Sequence, residues 1–194
     1  MSSIRLFILT SYAEHGEMYG HQVRRQAERE HLHLWTDISV AGMYGAIKRL
    51  AAEGLLEAVR SEREGNLPER QIYAITEAGR RVLATLRHDE LSTIWLKPDP
   101  FDLAMTRLDP DELGELPGIV EGRIRSLKIL LDEKISLNRR ADPYLTVSEK
   151  HALTHTEYRL RAEIAWHEDL SAAIPGIVTD ESDRRPAPAR PPAG

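Results

Sequence analysis

The chain has 194 residues with a net charge of −5, and it contains 41% hydrophobic residues, 29% charged residues and no cysteine. These values are typical of a globular protein with one large or two small domains, and they exclude disulfides, thiolate catalysis and thiolate metal sites. No run of eighteen apolar residues is present, and the apolar run near the N-terminus is too short for a signal peptide. We therefore expect a cytoplasmic protein with no membrane partner.

The negative charge is concentrated in the second half of the chain. Residues 1–87 contain 12 Lys and Arg against 11 Asp and Glu, which gives +1, whereas residues 88–194 contain 14 against 20, which gives −6. Binding to nucleic acid depends on a local basic surface rather than on the average charge. The overall acidity therefore does not exclude nucleic-acid binding by the first half.

Three helices are predicted in the first third of the chain. Ile4–Glu14 has apolar residues at helical spacing, and a second helix runs from Tyr19 to about His31. The third helix follows Ser39, a plausible N-cap, and ends before Gly54, where a positive φ is expected. Its predicted inward stripe consists of Val40, Met43, Tyr44, Ile47, Leu50 and Ala51.

The pattern changes from helix to strand after the third helix. Leu55–Arg63 and Arg70–Ile75 are strand-like, and the turn-forming residues Glu64–Glu69 lie between them, which predicts a hairpin. Thr76 is placed to cap a further helix that continues to Trp95. Three helices followed by a small β-hairpin is the order of a winged helix-turn-helix, so the predicted fold class is mainly α with one small wing.

The second half of the chain predicts a helical hairpin. One long helical pattern follows Asp109-Pro110 to Ile135, and a second runs from Thr146 to Ala173. From Pro175 onward the composition rich in Pro, Ala and Arg predicts disorder. The predicted domains are a DNA-binding domain at 1–87, a helical domain at 88–174 and a tail at 175–194. The apolar stripes of the helical domain exceed what a two-helix hairpin covers, which predicts a homodimer.

The third helix is the candidate reader of DNA, because an α-helix or a β-ribbon is what fits into the major groove. On its outer face, Gly42 and Gly45 allow the backbone to approach DNA closely. Lys48 and Arg49 can then reach phosphates or a guanine edge. The alternative for these two basic residues is an ordinary solvated helix face.

The first half, over residues 4–87, resembles the PadR family of bacterial transcriptional regulators. The motifs that carry the resemblance are Met18-Tyr19-Gly20, Met43-Tyr44 with Ile47-Lys48-Arg49-Leu50, Glu53-Gly54-Leu55-Leu56, and the specific run Pro68-x-Arg70-x-x-Tyr73-x-Ile75-Thr76-x-x-Gly79. The resemblance implies a double-stranded DNA operator as partner, a helical C-terminal region that forms the dimer, and no enzymatic activity.

The wing departs from the family pattern in two ways. The family usually has Gly-Pro and a basic residue after its Arg, where this chain has Gly65-Asn66-Leu67-Pro68 and Gln71. The wing also contains the acidic residues Glu62, Glu64 and Glu69. We therefore expect the wing to contribute less to DNA binding than the third helix.

Further candidate contacts flank the reader. The resemblance places Tyr44 at the mouth of the third helix, where the alternative is a packing role. Tyr19 and His21 lie where a helix N-terminus meets phosphate, although Tyr19 can also pack under the hairpin, and Arg70 can contact DNA or pair with a wing glutamate. Tyr73 is assigned to the core. The full predicted DNA-binding set is Tyr19, His21, Ser39, Gly42, Tyr44, Gly45, Lys48, Arg49 and Arg70.

Aromatic and histidine residues of the second half are candidates for an effector site. Trp95, Tyr158 and Trp166 can line a pocket for the flat aromatic ligand that the resemblance implies, with His155 and His167 near an anionic group. The alternative is that these aromatic residues form the dimer core. His151 and His155 have the i,i+4 spacing of a metal pair, but the glutamate of a zinc-protease motif is missing between them. No metal and no cofactor are predicted.

The predicted function is a ligand-responsive repressor that binds a pseudo-palindromic operator as a homodimer and is released by a small aromatic or phenolic effector. The first alternative is a DNA-binding regulator without an effector, controlled by a protein partner or by its expression level. A small enzyme that uses the histidines is a third hypothesis, but the sequence has no nucleophile–base constellation and no phosphate loop. A fourth is a module in which the winged helix binds protein.

Overall fold

The computed structural model describes residues 2–63, 70–94 and 96–184, apart from the side chains of Ser2 and Leu34. The chain divides into two compact units, residues 1–96 and 97–194. The predicted wing turn Glu64–Glu69, Trp95 and half of the predicted tail, residues 185–194, lie outside the described residues. In the described ranges, every helix is too short or too polar to cross a bilayer.

The first unit contains four helices and three strands within its described residues. In chain order these are α1 (Ser2–His15), β1 (Met18–Tyr19), α2 (Gly20–Arg29), α3 (Met43–Ala52), β2 (Leu56–Glu62), β3 (Arg70–Ile75) and α4 (Glu77–Ser92). Single 3₁₀ turns at Leu32–Leu34 and Val40–Gly42 connect α2 to α3. The predicted class, mainly α with a small wing, is confirmed. The predicted domain boundary at residue 87 falls within helix α4.

The wing belongs to a three-stranded antiparallel sheet with the order β1-β3-β2. Strand β2 pairs with β3 from Leu56 opposite Ile75, and β1 pairs with β3 through Met18 opposite Tyr73 and Tyr19 opposite Ile72. The sequence predicted that Tyr19 opens the second helix, which is wrong. Tyr19 is a strand residue because its backbone pairs with Ile72, and its amide N donates to Gln22 Oε1 at 3.0 Å, which starts α2 at Gly20.

Helix α3 differs from the prediction at its start and on one position of its face. A 3₁₀ turn precedes it, and the side chain of Ser39 makes no capping hydrogen bond. The inward side chains are Met43, Ala46, Ile47 and Leu50, whereas Tyr44 is 44% exposed and does not belong to the inward stripe. Gly54 follows the helix with φ of 72°, as predicted.

The core of the first unit lies where α1 packs against the other helices and the sheet. Its buried members include Ile8, Leu9, Tyr12, Val23, Ala27, Met43, Ile47, Leu50, Leu56 and Leu83. At the edge of this core, an Arg5 Nη1–Glu53 Oε2 ion pair of 2.6 Å connects α1 to the C-terminal end of α3. The core therefore covers the buried face of α3, and the opposite face of the helix is exposed to solvent.

The second unit is dominated by two long antiparallel helices. Its described helices are α5 (Pro100–Met105), α6 (Leu116–Ala141) and α7 (Val147–Asp183), with 3₁₀ turns at Leu113–Glu115 and Asp142–Tyr144. Thr146 and Glu149 form a capping box at the start of α7, where Thr146 N donates to Glu149 Oε2 at 2.7 Å. The predicted helical hairpin is present.

Two features of the second unit were not predicted. Helix α5 begins where the Asp99 carboxylate accepts a hydrogen bond from Phe101 N at 2.9 Å and Pro100 occupies the first helical position. Helix α7 passes through Pro175 to Asp183, although the sequence ended it near Ala173 and placed a disordered tail from residue 175. The reason is tertiary packing, because Ile174 is buried against Leu116 and Val120.

Candidate nucleic-acid interface

An open groove of about 590 Å³ lies on the first unit where β1 and the start of α2, helix α3, and strand β3 come together. Five of the nine residues predicted to bind DNA line it: Tyr19, His21, Tyr44, Lys48 and Arg70. Ser39, Gly42, Gly45 and Arg49 lie outside its lining. The structure thus brings residues from three separate segments of the sequence to one surface.

The sheet register places Tyr19 beside Arg70. Tyr19 pairs with Ile72, and Arg70 lies two residues earlier on β3, so the side chains of Tyr19 and Arg70 are diagonal neighbours on one face. The guanidinium carbon of Arg70 lies 5.2 Å from the centroid of the Tyr19 ring, within the range of a cation–π contact. The His21 ring is stacked with the Tyr19 ring, with ring centroids 6.4 Å apart and an interplanar angle of 11°.

The outer face of α3 presents two rows of residues at i,i+4 spacing. Tyr44 and Lys48 form the row that lines the groove, and both side chains are exposed. Gly45 and Arg49 form the second row, and a Cβ atom at Gly45 would lie 3.4 Å from Arg49 Nη1, so the arginine extends back along the helix over the glycine. The described groove lining contains two cationic side chains and no carboxylate.

The N-terminal end of α3 is also exposed. Gly42 is the N-cap residue of the helix, and its amide N donates to the carbonyl oxygen of Ser39 at 3.1 Å within the preceding turn. Both residues are exposed. The positive end of the helix dipole is therefore open to an anion next to the basic rows of α3.

Carboxylates near the wing are engaged with arginine. Arg60 Nε donates to Glu62 Oε1 at 2.7 Å, and Arg60 Nη1 also donates to Glu17 Oε2. Hydrogen bonding to these two glutamates raises the pKa of Arg60. The charge of Glu62 is thus paired with Arg60, while Glu64 and Glu69 lie outside the described residues.

Several groove residues were missed by the sequence reasoning. Gly20, Ile47, Gln71 and Tyr73 also line the groove, and the hydroxyl of Tyr73 donates to Gln71 Oε1 at 2.9 Å. Tyr73 is half-buried and packs against the core, so its assignment to the core describes only part of its position. Their positions in the sequence were the available signal, because each of these residues is next to a predicted DNA contact or belongs to the same motif as one.

The predicted effector residues of α7 are spread along the helix. His155 and Tyr158 are exposed, and Trp166 is 45% exposed. His155 and Trp166 are eleven positions apart, which corresponds to about 16 Å along an α-helix and is too far for one small planar ligand. The described residues contain no group of three His, Asp or Glu side chains arranged to hold a metal ion.

His167 is fully buried in a network of the second unit. Its Nε2 atom lies 2.8 Å from Arg123 Nε, and its Nδ1 atom lies 2.8 Å from the carbonyl oxygen of Glu163. Because arginine donates and a carbonyl oxygen accepts, the ring is neutral with its proton on Nδ1. Arg123 also donates to Asp99 Oδ2 at 3.0 Å and lies 4.1 Å from the Phe101 ring centroid. Both ring nitrogens of His167 are therefore occupied by the protein itself.

Comparison with known proteins shows what the first unit is similar to. The model of the Transcriptional regulator PadR-like family matches residues 8–85. Among solved structures, Bacillus subtilis PadR in complex with operator DNA is 21% identical with a TM-score of 0.61, covering 90% of this chain and 98% of that chain. The same protein in complex with p-coumaric acid is 19% identical with a TM-score of 0.63, covering 88% and 98%.

A PadR-like transcriptional regulator from Bacillus cereus is 16% identical with a TM-score of 0.57, covering 89% of this chain and 98% of that chain. No curated protein sequence matches the chain. The likenesses to solved structures show the fold, and the family match confirms the resemblance drawn from the sequence motifs. The members of this family are regulators of transcription rather than enzymes.

Proposed function

We propose that this chain, whose N-terminal unit belongs to the PadR-like family of transcriptional regulators, binds operator DNA through α3 and the groove beside it. The observation that carries the proposal is the convergence of Tyr44, Lys48 and Arg70 on one open groove whose described lining has no carboxylate. Phosphate contacts by such cations supply affinity, and contacts to base edges by an exposed helix supply specificity.

The arrangement fits a duplex better than it fits a protein partner. Gly42 and Gly45 have no side chains, so the backbone at the start of α3 can approach base edges. Lys48 and Arg49 follow about one turn later on the same outer face. The cations at the groove, Lys48 and Arg70, are then placed to meet phosphates on either side. Bacillus subtilis PadR, which has the same fold, has been solved with operator DNA bound.

We further propose that the chain acts as a homodimeric repressor on a pseudo-palindromic operator. Helices α6 and α7 retain large apolar side chains on their surface, including Ile119, Ile129 and Leu130, which are 51%, 60% and 45% exposed in the single chain. A second copy of the hairpin would cover such a surface. Two readers related by a two-fold axis then meet half-sites about 34–36 Å apart.

A small aromatic or phenolic effector would release the repressor by favouring a conformation that does not bind DNA. The support is that Bacillus subtilis PadR has been solved with p-coumaric acid, together with the aromatic pair Phe101 and Trp166 in the second unit of this chain, whose ring centroids lie 5.9 Å apart. A hundredfold preference of the effector for that conformation would supply about 2.7 kcal/mol at saturation.

Fluorescence anisotropy with labelled DNA from the promoter of the chain's own gene tests the DNA-binding role. We expect specific binding that weakens steeply with added salt, and the double variant Lys48→Ala plus Arg49→Ala should lose about 1–3 kcal/mol of binding free energy or more. Arg161→Ala, an exposed arginine of α7, is the matched control and should bind normally. Unchanged affinity of the double variant would exclude α3 as the reader.

Titration with phenolic acids separates the proposed effector response from regulation without a ligand. If an effector exists, it should quench tryptophan fluorescence and lower operator affinity over the same concentration range. If no phenolic acid does either, while DNA binding is intact, control by a protein partner or by expression level becomes the better explanation.

A further inference from the structure

The first residue of α2, Gly20, faces the ring of Tyr44 across the groove. A Cβ atom placed on Gly20 would lie 3.0 Å from both Cδ1 and Cε1 of Tyr44, and 3.3 Å from Cδ1 of Ile47. Ordinary van der Waals contacts of carbon are longer, at about 3.5–4.0 Å. Any side chain at position 20 would therefore require the Tyr44 ring to move.

The backbone conformation does not explain why glycine occupies this position. Gly16 and Gly54 have φ of 74° and 72°, the left-handed region that favours glycine, whereas Gly20 is the first residue of an ordinary α-helix. Alanine would be the better helix former there. The feature that distinguishes Gly20 is the ring that packs on it.

We propose that Gly20 is a positioning residue for DNA recognition, because the Tyr44 ring packs on it and is thereby held at the mouth of the reader helix next to Lys48. This inference rests on the proposed DNA-binding function. It assigns Tyr44 a contact with DNA and explains why α2 carries a glycine where a helix would gain from alanine. The role is indirect, since Gly20 acts only through the position of Tyr44.

The test compares operator affinity and thermal unfolding for Gly20→Ala, Tyr44→Ala and the double variant. We expect Gly20→Ala to unfold at or slightly above the wild-type temperature and to bind operator about fivefold or more weakly, as Tyr44→Ala also should. In the Tyr44→Ala background, Gly20→Ala should cause no further loss. The control Gly118→Ala makes the same chemical change where a Cβ atom meets open space, and it should bind normally.

The possible results separate this inference from the proposed function. Normal operator binding by Gly20→Ala or by Tyr44→Ala, with Lys48→Ala plus Arg49→Ala still defective, would overturn the positioning role alone. A Gly20→Ala loss that persists at full size in the Tyr44→Ala background would overturn it as well. Failure of the wild-type chain to bind any promoter fragment would overturn both proposals.

Discussion

Gly79, in the first turn of α4, has no room for a side chain. A Cβ atom at this position would lie 2.2 Å from the carbonyl oxygen of Leu55 and 2.8 Å from Cγ1 of Ile75. The Leu55 oxygen is also fixed, because it accepts hydrogen bonds from Thr76 N at 3.1 Å and from Thr76 Oγ1 at 3.2 Å. Substitution by alanine must therefore displace a backbone carbonyl together with the residue that caps α4.

The cost of Gly79→Ala follows from these contacts. Overpacking costs about 1–3 kcal/mol, and disturbing a hydrogen bond that is sheltered from solvent adds about 1 kcal/mol. The gain in helix propensity from glycine to alanine offsets about 1 kcal/mol. A net loss of about 2 kcal/mol corresponds to a melting temperature about 8–16 °C lower for a unit of 96 residues.

Thermal unfolding followed by circular dichroism measures this loss. The control is Gly118→Ala, where the new methyl group meets open space and the melting temperature should stay the same or rise slightly. If Gly79→Ala melts within 2 °C of the wild type, then the Leu55 carbonyl is not held as the structure places it, and the reasoning about this junction is wrong.

Three further predictions concern the second unit and the effector. A chain cut after Leu96 should be monomeric in analytical sedimentation. It should also bind operator far more weakly than the full chain, because a single DNA-binding domain lacks the avidity of two. A dimeric fragment would contradict the assignment of the dimer interface to α6 and α7. Hydrogen bonds from Phe101 N and Arg123 lower the pKa of Asp99, so its contribution to stability is present above about pH 3.9 and is lost as pH falls further. The difference in melting temperature between wild type and Asp99→Asn should therefore shrink between pH 6 and pH 3, and a constant difference would refute the assignment. Trp166→Ala should keep operator binding and lose release by an effector, and normal release would place the effector elsewhere.

The elements with strong local signals could be predicted from the sequence. The hairpin strands β2 and β3 follow from their β-prone residues, and the start of α4 follows from Thr76, whose side chain accepts a hydrogen bond from Gly79 N at 3.0 Å. Gly54 was expected to have a positive φ and does. In each case the residues within one turn or one strand determine the outcome, so no distant contact is needed.

Tertiary contacts explain where the sequence reasoning was wrong. Periodicity placed Tyr44 on the inward stripe of α3, but a glycine 24 positions earlier provides space for its ring outside the core. Proline normally ends a helix, yet α7 continues past Pro175 because Ile174 gains burial against Leu116 and Val120. Neither contact can be predicted from the residues of the helix concerned, because its partner residues lie elsewhere in the sequence.

The candidate interface depends most on an element that sequence periodicity does not reveal. Strand β1 has two residues, which is too few to produce an alternating pattern. Its pairing with β3 nevertheless places Tyr19 next to Arg70 and fixes the start of α2, and hence Gly20, against Tyr44. The motifs Met18-Tyr19-Gly20 and Arg70–Tyr73 therefore meet in one pair of strands, β1 and β3. A substitution that breaks this pairing should disturb the wing and the reader helix together, although neither motif lies in α3.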